Sequence, residues 1–254
     1  MPSPRDHSPS LSDLKREALG VAAVGLIASL LLSFGLMAML DPDARLVHMA
    51  AAGTFFAALF LLAGRWLSAH LPHPRLGRAN RLTALRAVLV ANLGGFLILP
   101  AVTDAMAAWT IVALALAAFA LDGCDGWLAR REGLASPFGA RIDQELDGVT
   151  ILLLAALIWQ AGVAGPWVMI AGLWRYAFLA LRALSPAWRG DLPDSRRRRW
   201  ICGLVVGGLV ASLVPFLAGP PAQAIALASV VLLSISFAID LTCLRKASDR
   251  RQGG

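Results

Sequence analysis

The chain has 254 residues, of which 58% are hydrophobic and only 15% charged, and its mean hydropathy is +0.68. A water-soluble domain needs a charged coat that this composition does not supply, so the solvent of the chain is the bilayer. The formal net charge of +7 does not mark a nucleic-acid binder, because the arginines fall between apolar runs rather than along one soluble face. Cys124, Cys202 and Cys243 have no paired spacing and form no zinc pattern with His7, His48, His70 or His73, so neither disulfides nor zinc are expected.

In chain order, a polar tail (1–17) precedes a first apolar run, 18–40, that is too long for a signal peptide and ends at Asp41-Pro42-Asp43 without a cleavage pattern. It reads as a retained anchor. Further spans are expected near 46–67, 82–100, 105–128, 139–160, 164–184, 201–218 and 222–243, each about long enough to cross the hydrocarbon core as a helix. Breakers separate them: Pro42, Pro72 and Pro74, Pro100, Pro137, Pro166, Pro186 with Pro193, and Pro220-Pro221. The expected fold is therefore all-α, a polytopic transmembrane bundle of about eight spans.

The basic residues alternate between the loops. Lys15 and Arg16, Arg65 with Arg75, Arg78 and Arg81, Arg130 and Arg131, Arg189 with Arg196 to Arg199, and Arg245 with Lys246 share one side, while the other has little beyond Arg45. Both termini and the loop after Arg130 are thus expected in the cytoplasm. The expected location is a bacterial inner membrane, with the site described next facing the cytoplasm. The tryptophans near span ends read as an interfacial belt, and His70 and His73, flanking Pro72, as an interfacial turn.

Two adjacent spans carry the chemistry. Asp122, Asp125, Gly126, Ala129 and Arg130 stand at i, i+3, i+4, i+7 and i+8, one continuous helical face. Gly139, Asp143 and Asp147 form a second stripe at intervals of four, and the turn at Pro137 lets the two helices pack antiparallel. Carboxylates at the membrane boundary repel one another and each costs up to about 2.5–3.5 kcal/mol at bilayer depth, so a cation must offset them. Oxygen ligands without His or Cys point to Mg²⁺ or Mn²⁺, and two such ions suit a diphosphate. The glycines leave room for a headgroup, and Arg130 offers a fork to a phosphate. The competing interpretation is a solvated loop in which the aspartates pair with Arg130, Arg131 and Arg141. Arg141 and Glu145, four apart on the opposite face, are expected to pair with each other.

The pattern DxxDGxxAR, eight residues, GxxxDxxxD is filled at every position and resembles the signature of the CDP-alcohol phosphatidyltransferases. Asn80, Thr83 and Arg86 are similar to the Asn-x-x-Thr-x-x-Arg that precedes it in many relatives. The resemblance implies a six-helix catalytic core (71–245), with two extra N-terminal transmembrane helices (18–70) and a cytoplasmic tail (246–254). It implies that Asp122, Asp125, Asp143 and Asp147 hold the metal and that Asp147 also takes the acceptor hydroxyl proton. It places Gly126, Ala129, Arg130, Gly139, Ser136 and Asn80 against the CDP moiety of a CDP-lipid such as CDP-diacylglycerol. The resemblance further implies that CMP is released as the phosphatidyl group passes to an alcohol, and relatives suggest a homodimer.

For the acceptor, Arg175 lies mid-span and Arg182 is seven residues on, roughly on the same face, so they are the expected contacts of a phosphorylated polyol such as glycerol 3-phosphate or inositol phosphate. Arg175 could alternatively pair with an aspartate. The run Arg196 to Arg199 reads as a topology signal with attraction to anionic lipid. Relatives that use glycerol 3-phosphate usually carry Pro after the third aspartate and Lys after the fourth, where this chain has Gln144 and Gly148. A divalent-cation transporter would also use intramembrane carboxylates, but these cluster toward one membrane face and the other halves of the spans are apolar.

Overall fold

The computed structural model describes residues 10–99, 104–184 and 196–252, and among them every regular element is helical. Eight long helices run in chain order: α1 (Leu11–Leu40), α2 (Arg45–Gly64), α3 (Gly77–Phe96), α4 (Ala105–Glu132), α5 (Pro137–Gln160), α6 (Met169–Leu184), α7 (Arg196–Ser212) and α8 (Pro220–Gln252). Each overlaps one expected span. Five segments are both long and apolar enough to cross a membrane: 11–40, 45–64, 105–132, 166–184 and 220–245. Several apolar helices of this kind make the chain an integral membrane protein. The other three, α3, α5 and α7, are weaker candidates for a physical reason. The first half of α3 carries Arg78, Asn80, Arg81 and Arg86, the first half of α5 carries Arg141, Asp143, Glu145 and Asp147, and α7 opens on four arginines. The expected breakers at Pro100, Pro186 and Pro193, and Arg189, lie outside the described residues.

The chain divides into two compact units, 1–100 with 113–147 and 101–112 with 148–254. In the first, α1 begins at Leu11, about two turns inside the segment expected to be a tail. Ser10 caps it, accepting the Asp13 N–H at 3.2 Å. The early start has a packing cause: Leu14 and Ala18 join Leu67, Leu76 and Phe138 in one buried cluster. Glu17 Oε2 accepts the Leu76 N–H at 3.0 Å, and Glu17 Oε1 meets Arg81 at 3.1 Å. Asp41 ends α1 and accepts the N–H groups of Asp43 and Ala44, turning the chain into α2.

In its middle turns, α1 presents small or polar residues to its neighbours and large apolar ones outward. Gly25, Ser29 and Ser33 are buried, whereas Val24 and Leu31 are 69% and 67% exposed. Such inversion suits a protein whose outer surface meets lipid. The Phe56 ring lies over Gly25, and Gly94 and Gly95 admit the Phe55 and His48 rings. His48 Nδ1 and Ser33 Oγ are 2.6 Å apart, and Asn92 donates to Ser29 Oγ at 3.1 Å. In the second unit, Trp174 donates to Ser234 at 2.7 Å and stacks on Phe237, joining α6 to α8. Arg197 of α7 pairs with Asp240 of α8 at 2.6 Å, so this member of the arginine run has a protein partner rather than serving lipid attraction alone.

Candidate active site

The site lies within the first unit, where the polar halves of α3, α4 and α5 carry their ionisable residues. Two turns set the helices. Gly133, at φ +67°, closes α4 in the left-handed conformation, with the Leu134 N–H donating to the Ala129 carbonyl at 3.1 Å. Ser136 then caps α5, its Oγ accepting the Gly139 N–H at 3.2 Å, and Pro137 occupies the first helical position. A linker of four residues thus places the carboxylates of α4 beside those of α5.

At the centre of the four aspartates stands Arg86 of α3, its side chain only 2% exposed. Nη1 donates to Asp122 Oδ1, to Asp143 Oδ1 at 2.7 Å and, more weakly, to Asp125 Oδ2 at 3.4 Å. Nη2 donates to Asp147 Oδ1 at 3.2 Å and to the Asp143 carbonyl at 3.1 Å. One turn earlier, Thr83 Oγ1 donates to Asp125 Oδ2 at 3.0 Å. Arg86 and Thr83 enter the sequence reading only as part of a resemblance. Their direct role has one local signal, a lone charged residue within the largely apolar stretch 82–96.

Exposure separates the four carboxylates. Asp125 is enclosed, with 6% of its side chain exposed, while Asp122, Asp147 and Asp143 retain 33%, 35% and 44%. These three each offer an oxygen within 4.8 Å of the others, close enough to share a cation. With all four ionised, Arg86 neutralises one charge and three remain. An all-oxygen donor set with that residual charge fits hard divalent cations.

Three of the residues expected to touch a nucleotide, Asn80, Ser136 and Gly139, gather at the start of α5. A Cβ built on Gly139 would lie 3.5 Å from Asn80 Oδ1 and 3.7 Å from Ser136 Oγ. On α4, a Cβ on Gly126 would lie 3.5 Å from Arg130 Nη1, so the glycine leaves that guanidinium accessible. Ala129 lies one turn before the close of α4 and is half-buried. Arg141 and Glu145 pair as expected, at 3.2 Å. Arg131 covers the Trp127 ring, and Arg86 pairs with all four aspartates, where the loop interpretation called on Arg130, Arg131 and Arg141. His70 opens the expected turn, its carbonyl accepting the His73 N–H at 3.2 Å, and its ring is fully buried and contacts Ser136.

In the second unit, the Arg175 side chain lies directly over Gly148 through Cδ and Nε, and Arg182 covers the Phe178 ring at 5.9 Å.

Helices apolar enough to cross a membrane, with an acidic, arginine-centred cluster that could hold a metal ion, define an integral membrane protein with one candidate active site in its first unit. The chain belongs to the CDP-alcohol phosphatidyltransferase family, whose model matches residues 76–239. The family's reaction passes a phosphatidyl group from a CDP-alcohol to an acceptor in the membrane, and α1 and α2 lie outside the matched residues. Neither a curated protein nor a solved structure matches the chain.

Proposed function

We propose that this enzyme transfers the phosphatidyl group of CDP-diacylglycerol, or a similar CDP-lipid, to a phosphorylated polyol and releases CMP. The observation that carries this reading is the grouping of Asp122, Asp143 and Asp147 within 4.8 Å on two helices that also carry the small residues Gly126, Ala129 and Gly139. Two Mg²⁺ or Mn²⁺ ions held by Asp122, Asp125, Asp143 and Asp147 would neutralise the diphosphate and the charge that grows on the departing CMP. Arg86 orients the four carboxylates, and Thr83 fixes the inner one. Asn80, Gly126, Ala129, Arg130, Ser136 and Gly139 form the nucleotide wall.

Asp147 takes the proton of the acceptor hydroxyl while that oxygen bonds to the lipid-linked phosphorus. The bond from this phosphorus to the bridging oxygen breaks, and CMP leaves with the electron pair. An apolar groove lined by Val21, Phe56, Phe60, Ala84, Phe138 and Ile142, together with Asn80 and Thr83, suits an acyl chain of the donor. Acceptor binding is assigned to Arg175 and Arg182. Where glycerol 3-phosphate enzymes usually carry Lys, this chain has Gly148, and the arginine lying over that glycine supplies a cation in its place. We further propose an inner-membrane homodimer whose site faces the cytoplasm.

The test is CMP release from CDP-diacylglycerol by the purified full chain in Mg²⁺ or Mn²⁺ with a panel of acceptors. Turnover with a phosphorylated polyol supports the proposal. Turnover only with uncharged alcohols would overturn the acceptor assignment.

A further inference from the structure

His70 stands outside the residues matched by the family, yet its ring joins the edge of the proposed nucleotide site. Nε2 is 2.7 Å from the Arg75 carbonyl and Nδ1 is 2.8 Å from Ser136 Oγ. A carbonyl can only accept, so Nε2 carries a proton, and the tautomer with its single ring proton there leaves Nδ1 as an acceptor. The Ser136 hydroxyl must therefore donate to His70. The ring is fully buried and packs edge-on against Phe138 at 5.7 Å, which fixes its plane. Ser136 Oγ also accepts the Gly139 N–H at 3.2 Å, so its hydrogen is committed and only lone-pair capacity remains for a ligand.

Asn80 is polarised the same way. Its Nδ2 donates to the Leu76 carbonyl at 2.6 Å, which fixes the flip of the amide and leaves Oδ1 on the Gly139 side. Two acceptor atoms thus flank the open face of Gly139, one from α3 and one from the α5 cap.

We propose that His70 is a positioning residue that sets nucleoside specificity: by holding the Ser136 proton, it makes the Ser136–Asn80 pair a receptor for a hydrogen-bond donor on the nucleoside. A phosphate oxygen offers no donor and is excluded from this position. The 4-amino group of cytosine and the ribose 2′-hydroxyl both qualify, whereas uracil presents an acceptor oxygen in place of the amine and meets two lone pairs. Sites built to accept a donor reject an analogue that lacks it more strongly than an apolar pocket does.

This inference rests on the CDP-alcohol reading, and nucleotide binding separates the two. Calorimetry of the full-length protein in Mg²⁺ with CDP, dCDP and UDP gives preference ratios within one preparation, so losses of folded protein cancel. Ser136→Ala and His70→Phe should each lower one ratio by about 3- to 10-fold, the amount one neutral hydrogen bond contributes. A fall in CDP over UDP identifies the amine, and a fall in CDP over dCDP identifies the ribose hydroxyl. His70→Asn, whose amide oxygen can accept the same proton, should keep most of the preference. Equal losses for all three nucleotides, or unchanged ratios in both Ser136→Ala and His70→Phe, would overturn the inference. A wild-type protein that binds no CDP would instead overturn the CDP-alcohol reading itself.

Discussion

Asp143 and Asp147 stand one turn apart on α5 and both lean on Arg86, yet the proposed chemistry gives them different work. Asp147→Asn preserves shape and the hydrogen bond from Arg86 but accepts no proton. CMP release should fall by about 10²- to 10⁴-fold while CDP-lipid binding in Mg²⁺ is retained, and a larger loss would add metal ligation to its role. Near-normal release would place the base elsewhere. Arg86→Met makes the opposite change, because it leaves four carboxylates without their arginine. Breaking a buried ion pair on one side costs about 3–5 kcal/mol, so the variant should unfold at lower temperature. Part of the loss should return as Mg²⁺ is titrated in, with thermal unfolding as the readout. A Tm insensitive to Mg²⁺ would show that no cation reaches the cluster.

Among the elements, α4 and α5 are the most legible from sequence. Their aspartates repeat at helical intervals and the Pro137 turn is short, so local periodicity specifies which faces meet. What is not legible is carried by contacts far apart in the chain. Arg86 reaches aspartates 36 to 61 residues away, and His70 reaches Ser136 across 66. No periodicity encodes such pairings. The start of α1 was obscured for a related reason: Leu14 is an isolated apolar residue among Asp13, Lys15 and Arg16, and only the cluster with Leu67, Leu76 and Phe138 explains its burial. Arg175 and Arg182 were visible as intramembrane cations, but the seat over Gly148 was not. For the acceptor role assigned to α6, Arg175→Ala should raise the KM of a phosphorylated acceptor well above any change for the CDP-lipid. Equal effects on the two substrates would remove that assignment.

At the scale of the whole molecule, the distribution of basic residues expects both termini and the loop after Arg130 on one side, with the α1–α2 turn opposite. Reporter fusions check this. One placed after Gly254 should read as cytoplasmic and one within 41–45 as external, and the reverse at either point would show that the span count is wrong.

An arginine planted among four acids has a consequence for the order in which the enzyme is made. A metal site without an internal counterion must await its ions before its helices can close, because bare carboxylates would push them apart. Here the chain brings part of the compensation with it, so α3, α4 and α5 can assemble first and be loaded afterwards. The protein stripped with EDTA should stay folded and monodisperse, with its helical circular dichroism unchanged, and should recover full turnover within minutes of Mg²⁺ being restored. Irreversible loss of activity on stripping would mean that the ions, and not Arg86, hold the three helices together.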